Sequence, residues 1–452
     1  MESQTVVLSF ARTPFGKLGG ALASLDATTL GAAALVGALQ RSGVDPSDVE
    51  HAAFGEVLQA GVGQNPARQV VFKSGLAKTV TAETLNKVCA SGLLAVATAM
   101  RLINAGANRV IAAGGMESMS NAPYLLKDAR SGYRFGDGKL IDEMIYDGLW
   151  DQYFPMTMAA QGNLVAGELG LPREDQDRFA YESHRRAHAA HEAGNFADEI
   201  VPIRVATKAK GKIVVDALPQ LGKTRVPATV GALRGPSGAP QDDMIWDHEP
   251  SARFTLEYAS WAPFVTGDAP FTLVDRDEAV RADASYEAMA KLKPLERDGT
   301  VTAGNAPGVN DGAAALILSD AAYAREHGHE ALATVLGHAG VGWDSPYLCF
   351  TPAMAAQKLL DMYGLRASDI AVWEINEAFA NVAITSARNL GIGEERINLF
   401  GGAVAMGHPI GASGARLVAT TINQLRKRGG GYGIASLCSG GGQGDALLVK
   451  VA

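Results

Sequence analysis

Cysteine is scarce. Three residues in a chain of 452 exclude a disulfide framework, and the odd count fits a reducing compartment. Charge of one sign is also missing: Lys and Arg number 40 against 48 Asp and Glu, for a net charge of −8. No strong basic patch stands out, so nucleic acid and anionic membranes are excluded as general partners. No run of about 18 apolar residues occurs, and no membrane span is expected. The N-terminus, Met1-Glu2-Ser3-Gln4-Thr5, lacks the charged and then apolar segments of a signal peptide, so a cytoplasmic location is expected. Cys and His residues nowhere pair at ligand spacing, and no metal site is expected. His184, His188 and His191 share one helix face and read as solvated. What is present is 47 % hydrophobic residues, 19 % charged ones and 52 glycines gathered in short clusters. That profile describes a globular enzyme with tight turns and close backbone approaches. The length alone suggests two or three domains.

The chain partly repeats itself. Ala90-Ser91-Gly92-Leu93-Leu94-Ala95-Val96-Ala97-Thr98 reads almost as Ala412-Ser413-Gly414-Ala415-Arg416-Leu417-Val418-Ala419-Thr420, at an offset of 322 residues. Near that offset Ser47-Asp48-Val49 matches Ser368-Asp369-Ile370, and Thr5-Val6-Val7-Leu8 matches Thr334-Val335-Leu336 in position and type. Three matches in one order at a nearly constant offset indicate a duplicated domain. Each half alternates strands with alanine-rich helices. In the first half these are Val6, Ala27–Arg41, Ala52–Val57, Gly92–Ala105 and Arg109–Ala113. In the second they are Ile370–Ile375, Ala412–Lys427 and Gly433–Leu437. The pattern predicts α/β layers around a mixed sheet.

The middle differs. The expected division is an N-terminal half over 1–120, a loop domain over 121–275, and a C-terminal half over 276–452, with 276–330 completing the first half. Glu174–Glu192 has a charged, helical period and reads as a solvated helix. Residues 217–272 hold seven of the 19 prolines and two of the five tryptophans, which predicts an irregular excursion. Trp246, Phe254, Trp261 and Phe264 suggest that it packs against something.

Chemistry concentrates in four blocks. Cys89 precedes Ala90-Ser91-Gly92 and a helical pattern. A thiol at a helix N-terminus meets the positive end of the dipole, which favours thiolate; the alternative is a small buried apolar residue. His408 lies in Gly401-Gly402-Ala403-Val404-Ala405-Met406-Gly407-His408-Pro409-Ile410-Gly411, as a base for a thiol or as a turn histidine. The repeat sets its loop before the helix equivalent to the one that Cys89 opens, so the two loops are expected to face each other across one site. Cys438 opens Cys438-Ser439-Gly440-Gly441-Gly442 after an apolar strand. It reads as a second thiol for proton transfer beside a backbone oxyanion site, since no Lys or Ser/Thr helix follows as in a phosphate loop. Asn376, in Asn376-Glu377-Ala378-Phe379-Ala380, holds a water or polarises a carbonyl, or caps a helix.

Taken in order, these four blocks resemble those of the thiolase family along nearly the whole chain. The resemblance implies the thiolase fold: two βαβαβαββ halves in five layers, with a loop domain inserted in the first. It further implies acetyl-CoA C-acetyltransferase chemistry, the Claisen condensation of two acetyl-CoA to acetoacetyl-CoA and CoA, and its reversal. Cys89 would become acyl-cysteine. His408 would accept the Cys89 proton and stabilise the thioester oxyanion, with Asn376 holding the water that completes that site. Cys438 would remove the α-proton of the second acetyl-CoA, and the backbone N–H groups of Cys89 and Gly440 would form the second oxyanion site.

By the same resemblance Ala303, Pro307, Val309, Met156 and Phe379 belong to the coenzyme A and acyl-binding surface. Coenzyme A thioesters are substrates, no separate cofactor is implied, and the assembly is a homodimer or homotetramer. Gly136–Leu149 is similar to the loop linked with tetramers in short-chain, biosynthetic members. The sequence departs from the family in three places. Pro307 stands where many members carry a serine that contacts pantetheine. Met156-Thr157-Met158 replaces a His-Met segment that lines the pocket. The 217–272 excursion is longer than usual. A degradative 3-ketoacyl-CoA thiolase with longer chains, and a non-catalytic thiolase-like protein binding CoA or lipid, are the competing readings. Cys349 matches no block and reads as structural.

Overall fold

The computed structural model describes residues 4–207, 213–215, 264–266 and 270–452. The first half runs β1 (Thr5–Arg12), α1 (Ala27–Ser42), β2 (His51–Gly55), α2 (Pro66–Lys73), β3 (Thr81–Leu85), α3 (Ser91–Asn104) and β4 (Val110–Ser118). After an insertion that carries α4 (Arg173–Glu192), β5 (Asn310–Asp320) closes it. The second half runs β6 (Ala333–Gly342), α5 (Thr351–Tyr363), β7 (Ile370–Ile375), α6 (Ala380–Asn389), α7 (Ile410–Arg428), β8 (Gly431–Ser439) and β9 (Gln443–Val451). The first half is thus βαβαβαββ. In the second, the strand equivalent to β3 shrinks to a single parallel bridge between Trp373 and Ile397.

The halves join into one mixed sheet in the order β7-β8-β9-β6-β1-β5-β4-β2-β3. β1 meets β6 antiparallel at Val6↔Thr334 and Val7↔Ala333, on the pseudo-twofold axis. On either side of it the pairings mirror each other: β4 and β8 each lie antiparallel to one neighbour and parallel to the other.

Alternation along each strand sorts side chains into three apolar layers. Val6 and Leu8 face α1 with Leu30, Leu35 and Leu39. Val7 and Phe10 face the opposite way, toward α3 and α7 with Leu93, Val96, Leu417 and Val418. Trp373, Ile375 and Leu448 face α5 and α6. The stack is therefore helices, strands, the α3–α7 pair, strands, helices. α7 is buried on all sides from Ile410 to Leu425. Arg416 and Gln424 bond Glu374, at 2.9 and 2.7 Å, and Thr420 and Asn423 bond Glu199, at 3.0 and 2.7 Å, while Arg416 Nε and Nη2 and Gln424 Oε1 have no partner among the described residues.

The helix expected at Glu174–Glu192 is present as α4, but it is not simply solvated. Phe179, Ala180, Ser183 and Ala187 are buried on one face. On that face His184 accepts the Arg281 N–H, and His191 Nε2 lies 3.1 Å from the buried carboxylate of Asp277, so two of the three histidines read as solvated are packed. They drop out of the solvent because α4 packs against α6, the Ala403–Met406 turn and the segment around 277–290. A four-stranded sheet contains Ile203–Ala206 and Phe271–Val274, with the short strands Ile213–Val215 and Phe264–Thr266. Apart from 264–266 and 270–272 the excursion expected at 217–272 lies outside the described residues, as do Trp246, Phe254 and Trp261 and the side chain of Phe264.

Candidate active site

α3 and α7 cross at their N-termini, and glycine allows it. A Cβ at Gly92 would lie 2.7 Å from the Gly411 carbonyl oxygen, and one at Gly414 would lie 2.2 Å from the Leu93 nitrogen. Those two glycines are equivalent in the repeat, so the duplication itself brings the Cys89 and His408 loops together.

Cys89 sits just ahead of α3, whose N-terminus has no side-chain cap. The preceding residue, Val88, has φ of 46°, a costly conformation for a β-branched residue. Local bonds hold it there. Asn86 Oδ1 accepts the Val88 N–H at 3.0 Å, and Ser91 Oγ donates to the Val88 carbonyl at 2.6 Å while accepting the Lys87 N–H at 2.8 Å. The other half clamps the same loop: Ser439 Oγ donates to the Lys87 carbonyl, and Lys87 Nζ lies 2.7 Å from Asp445. Burial pushes the Cys89 thiol up to about 12. Its own backbone N–H works against that rise, and the charge of Glu117 adds to it.

His408 is buried, and its tautomer follows from its neighbours. Ser413 Oγ gives its single proton to the Pro409 carbonyl at 2.9 Å, so at 2.6 Å it accepts from His408 Nδ1–H. Nε2 is therefore the unprotonated nitrogen, and Asn376 Nδ2 lies 3.3 Å from it. Burial, then the charge of Arg416, hold the imidazole down at about 3, so it is neutral near pH 7. The backbone under the ring is fixed by Asn310, whose Oδ1 accepts the His408 N–H at 2.9 Å and whose Nδ2 donates to the Gly16 carbonyl at 2.9 Å. Glu377 binds Asn398, Ser183 and the Val404 N–H, and so ties the Gly401–Met406 turn to α4.

Asn376 follows β7 directly and is fully buried; its Oδ1 has no partner among the described residues. Cys438 is the penultimate residue of β8, ahead of the three-residue hairpin Gly440–Gly442. It packs with Cys349, Leu348, Val382, Met158 and Phe379. Burial raises its thiol well above the ordinary range, and the neighbouring Cys89 and Cys349 raise it further. The site is closed at Gly440, where a Cβ would lie 3.0 Å from Met158 Cε and 3.2 Å from Val88 Cγ2.

The loops of Cys89, Asn376, His408, Cys438 and Gly440 thus converge. Among the residues expected at the coenzyme A surface, Phe379 joins the apolar cluster around Cys438, and Val309 joins that around Cys89. Of the methionine pair it is Met158 that packs beside Cys438, while Met156 lies half-buried in the short strand before it. Ala303 is exposed and Pro307 half-buried, in the turn ahead of β5 and in neither cluster. Cys349 is buried and donates to Asn381 Oδ1 at 3.6 Å. Sequence reasoning missed Ser413, Asn310 and Glu377 as supports of His408. Each is a polar residue in an otherwise apolar or glycine-rich run, a usable signal.

Comparison with known proteins agrees with this geometry. The family described as thiolase, N-terminal domain matches residues 5–229 and 262–322, leaving 230–261 unmatched, and that described as thiolase, C-terminal domain matches 329–451. Acetyl-CoA acetyltransferase of Cupriavidus necator is 40 % identical over 449 residues, covering 99 % of both chains. The protein of that name from Escherichia coli is 40 % identical over 447 residues, covering 98 % of both. The crystal structure of the Bacillus anthracis acetyl-CoA acetyltransferase superposes with a TM-score of 0.84 at 32 % identity, covering 100 % of this chain and 99 % of that one. With its two-part match, its duplicated fold and its converging thiol and imidazole loops, this chain belongs to the thiolase family.

Proposed function

We propose that the protein is an acetyl-CoA C-acetyltransferase, joining two acetyl-CoA into acetoacetyl-CoA and CoA and running the reverse thiolysis. The observation that carries the reading is the neutral His408 with Nε2 unprotonated, in a site that also holds two thiols. The full-length relatives named acetyl-CoA acetyltransferase support it. Both thiols are held protonated, so neither becomes a nucleophile or base until it loses a proton inside the site.

In the first half-reaction Cys89 passes its proton to His408 Nε2, and its sulfur attacks the carbonyl of acetyl-CoA. The protonated Nε2 then faces the developing oxyanion as a donor, and the unpartnered Oδ1 of Asn376 is an acceptor for the water that completes that hole. The carbon–sulfur bond to coenzyme A breaks, the proton leaves with CoA, and acetyl-Cys89 remains. In the second, Cys438 gives its own proton to the again neutral His408 Nε2, and its thiolate takes the α-proton of another acetyl-CoA. The enolate oxygen is received by the Cys89 and Gly440 N–H groups, the carbanion attacks acetyl-Cys89, breaking its carbon–sulfur bond, and the released Cys89 sulfur takes back the proton from His408. A lost oxyanion donor of this kind costs about 3–4 kcal/mol of barrier.

The coenzyme A surface is proposed at Met156, Ala303, Pro307, Val309 and Phe379. A homodimer or homotetramer is proposed as well. Tyr124, Leu126, Phe135, Leu140, Tyr153 and Phe154 are exposed over one stretch of the insertion, an apolar surface that a partner subunit would cover. No described helix is long and apolar enough to cross a membrane, and a cytoplasmic location belongs with this reading.

The test is CoA-dependent thiolysis of acetoacetyl-CoA against a long-chain 3-ketoacyl-CoA, followed by loss of ketoacyl-CoA absorbance. A strong preference for acetoacetyl-CoA is expected. Preference for the long chain would transfer the reading to the degradative class, and turnover of neither would remove it.

A further inference from the structure

Strand ends in the two halves correspond. Glu117 is the penultimate residue of β4, as Cys438 is of β8, and Glu56 follows β2 directly, as Asn376 follows β7. Cys438 is the proposed second thiol beside the Cys89 loop. Glu117 lies instead against the start of α7, where the repeat sets Gly411 in the place of Cys89. Its carboxylate receives three backbone donors: Val57 N–H at 3.1 Å, Leu58 N–H at 3.1 Å and Gly411 N–H at 2.9 Å. The first two belong to the first half, and the third to the first turn of the helix that follows His408. α7 has no side-chain cap of its own; this carboxylate from the other half serves instead.

We propose that Glu117 is a positioning residue of the acyl-transfer reaction: it fastens the His408 end of α7 to the first half and sets its carboxylate near the Cys89 loop, where its charge works together with burial against the thiolate. The proposal rests on Cys89 as nucleophile and His408 as its base. Burial is the main cause of the raised Cys89 thiol, and the charge of Glu117 adds to it. Burial, opposed by the three N–H bonds, brings the Glu117 carboxyl up to about 7, and Glu143 pushes it further the same way. The groups facing it are acidic or neutral. Among the described residues, neither carboxyl oxygen of the buried Glu56 has a partner, nor has Oε2 of the buried Glu143. Asp26 and Lys73 act on Glu56 from further out. No cation contacts Glu117 among the described residues, so its charge is offset by peptide dipoles alone and is felt at Cys89.

The experiment uses full-length Glu117→Gln and Glu117→Asp. Three quantities are read: the pH dependence of Cys89 alkylation by iodoacetamide, mapped by mass spectrometry; kcat and KM for acetoacetyl-CoA thiolysis; and the thermal midpoint. The Gln side chain removes the charge and leaves a backbone N–H facing an amide N–H. The alkylation midpoint is expected to move to lower pH, with kcat falling about 10- to 100-fold and KM little changed. The Asp variant keeps the charge on a shorter reach; it should hold the wild-type alkylation midpoint while losing kcat. A Gln variant with the wild-type midpoint, or with a kcat loss that only tracks its folded fraction, overturns the proposal. Should the Gln variant fail to fold, wild-type kcat in the Asp variant overturns it. If alkylating Cys89 in the wild-type protein leaves thiolysis intact, the nucleophile reading fails instead, which is a separate result.

Discussion

The start of α3 and the start of α7 are built from the same parts and carry opposite chemistry. Each carries Ala-Ser-Gly at or within its first turn, and each serine donates to a carbonyl three or four residues back, Ser91 to Val88 and Ser413 to Pro409. The remaining bond to that hydroxyl differs. Ser91 accepts a backbone N–H and holds the nucleophile loop in its strained shape, whereas Ser413 accepts from His408 and selects a tautomer. Around α3 the other half supplies a neutral thiol, Cys438; around α7 the first half supplies carboxyls, Glu117 and Glu56. Duplication therefore delivered two equivalent helix ends, and side-chain exchange made one reactive and the other a buried anchor. The difference teaches that the helix end alone does not make the site. What occupies the strand ends facing it does.

The sharpest way to break this comparison is Cys89→Ala, which should abolish thiolysis and condensation together, by on the order of 10⁴-fold or more. Residual activity near wild type in either direction would move the nucleophile elsewhere. Next is Cys438→Ser. Condensation should be lost while Cys89 still acquires an acetyl group from acetyl-CoA, seen as a mass increase on the Cys89 peptide. Normal condensation would remove the second-thiol role. The serine pair separates the two ends directly. Ser413→Ala should lower kcat about tenfold because it frees the imidazole orientation, and should also cost about 1–3 kcal/mol of stability by orphaning the His408 Nδ1–H. Ser91→Ala should cost about 1–3 kcal/mol of stability by orphaning the Lys87 N–H. Equal effects of the two substitutions on kcat would erase the distinction.

The smallest effect is in pH, and its sign differs between the ends. His408 is held at about 3 against an ordinary value of 6.5. The folded state binds its proton less readily than the unfolded chain, so the stability it contributes is present above 6.5 and is lost as pH falls toward 3. Burial first, then Glu117, raise Glu56 to about 9 from 4.5. There the folded state holds the proton more tightly, so its contribution is full below 4.5 and is lost as pH rises through 9. Glu56→Gln should therefore raise the thermal midpoint in alkaline buffer and converge with wild type in acid. A constant offset at all pH values would show that Glu56 is not protonated in the folded chain.

Much of this was legible beforehand. The repeat around Ala90-Ser91-Gly92 predicted two pseudo-symmetric loops facing each other, because identical small residues at a helix start imply identical close packing. The apolar runs at Val6 and Ile370 were readable as strands because burial on both faces leaves no polar alternation to confuse them. The supports of the site were not legible. Asn310, Ser183 and Glu117 act on partners about 100 to 300 residues away, and nothing local marks such a pairing. The packing of His184 and His191 was hidden for the same reason: α4 is charged on its own account, and which face is covered depends on what it lies against. Glu56 and Glu117 did leave a trace, as lone carboxylates at the ends of apolar strands, a pattern that marks a buried charge with work to do.

The all-round burial of α7 has a consequence for the order in which the molecule forms. This helix has no face for water, and its polar residues find their partners on both sides of the molecule, at Glu374 in one half and Glu199 beside the other. It reaches its place only after the chain has closed a loop of about 320 residues between Cys89 and His408. Long closures are slow, and the contacts that reward them come last. Cys89 is thus synthesised and exposed well before any base exists to activate it. The reactive pair exists only where both halves are in place, so a chain whose halves have not joined carries an idle thiol, and catalytic competence reports that they have.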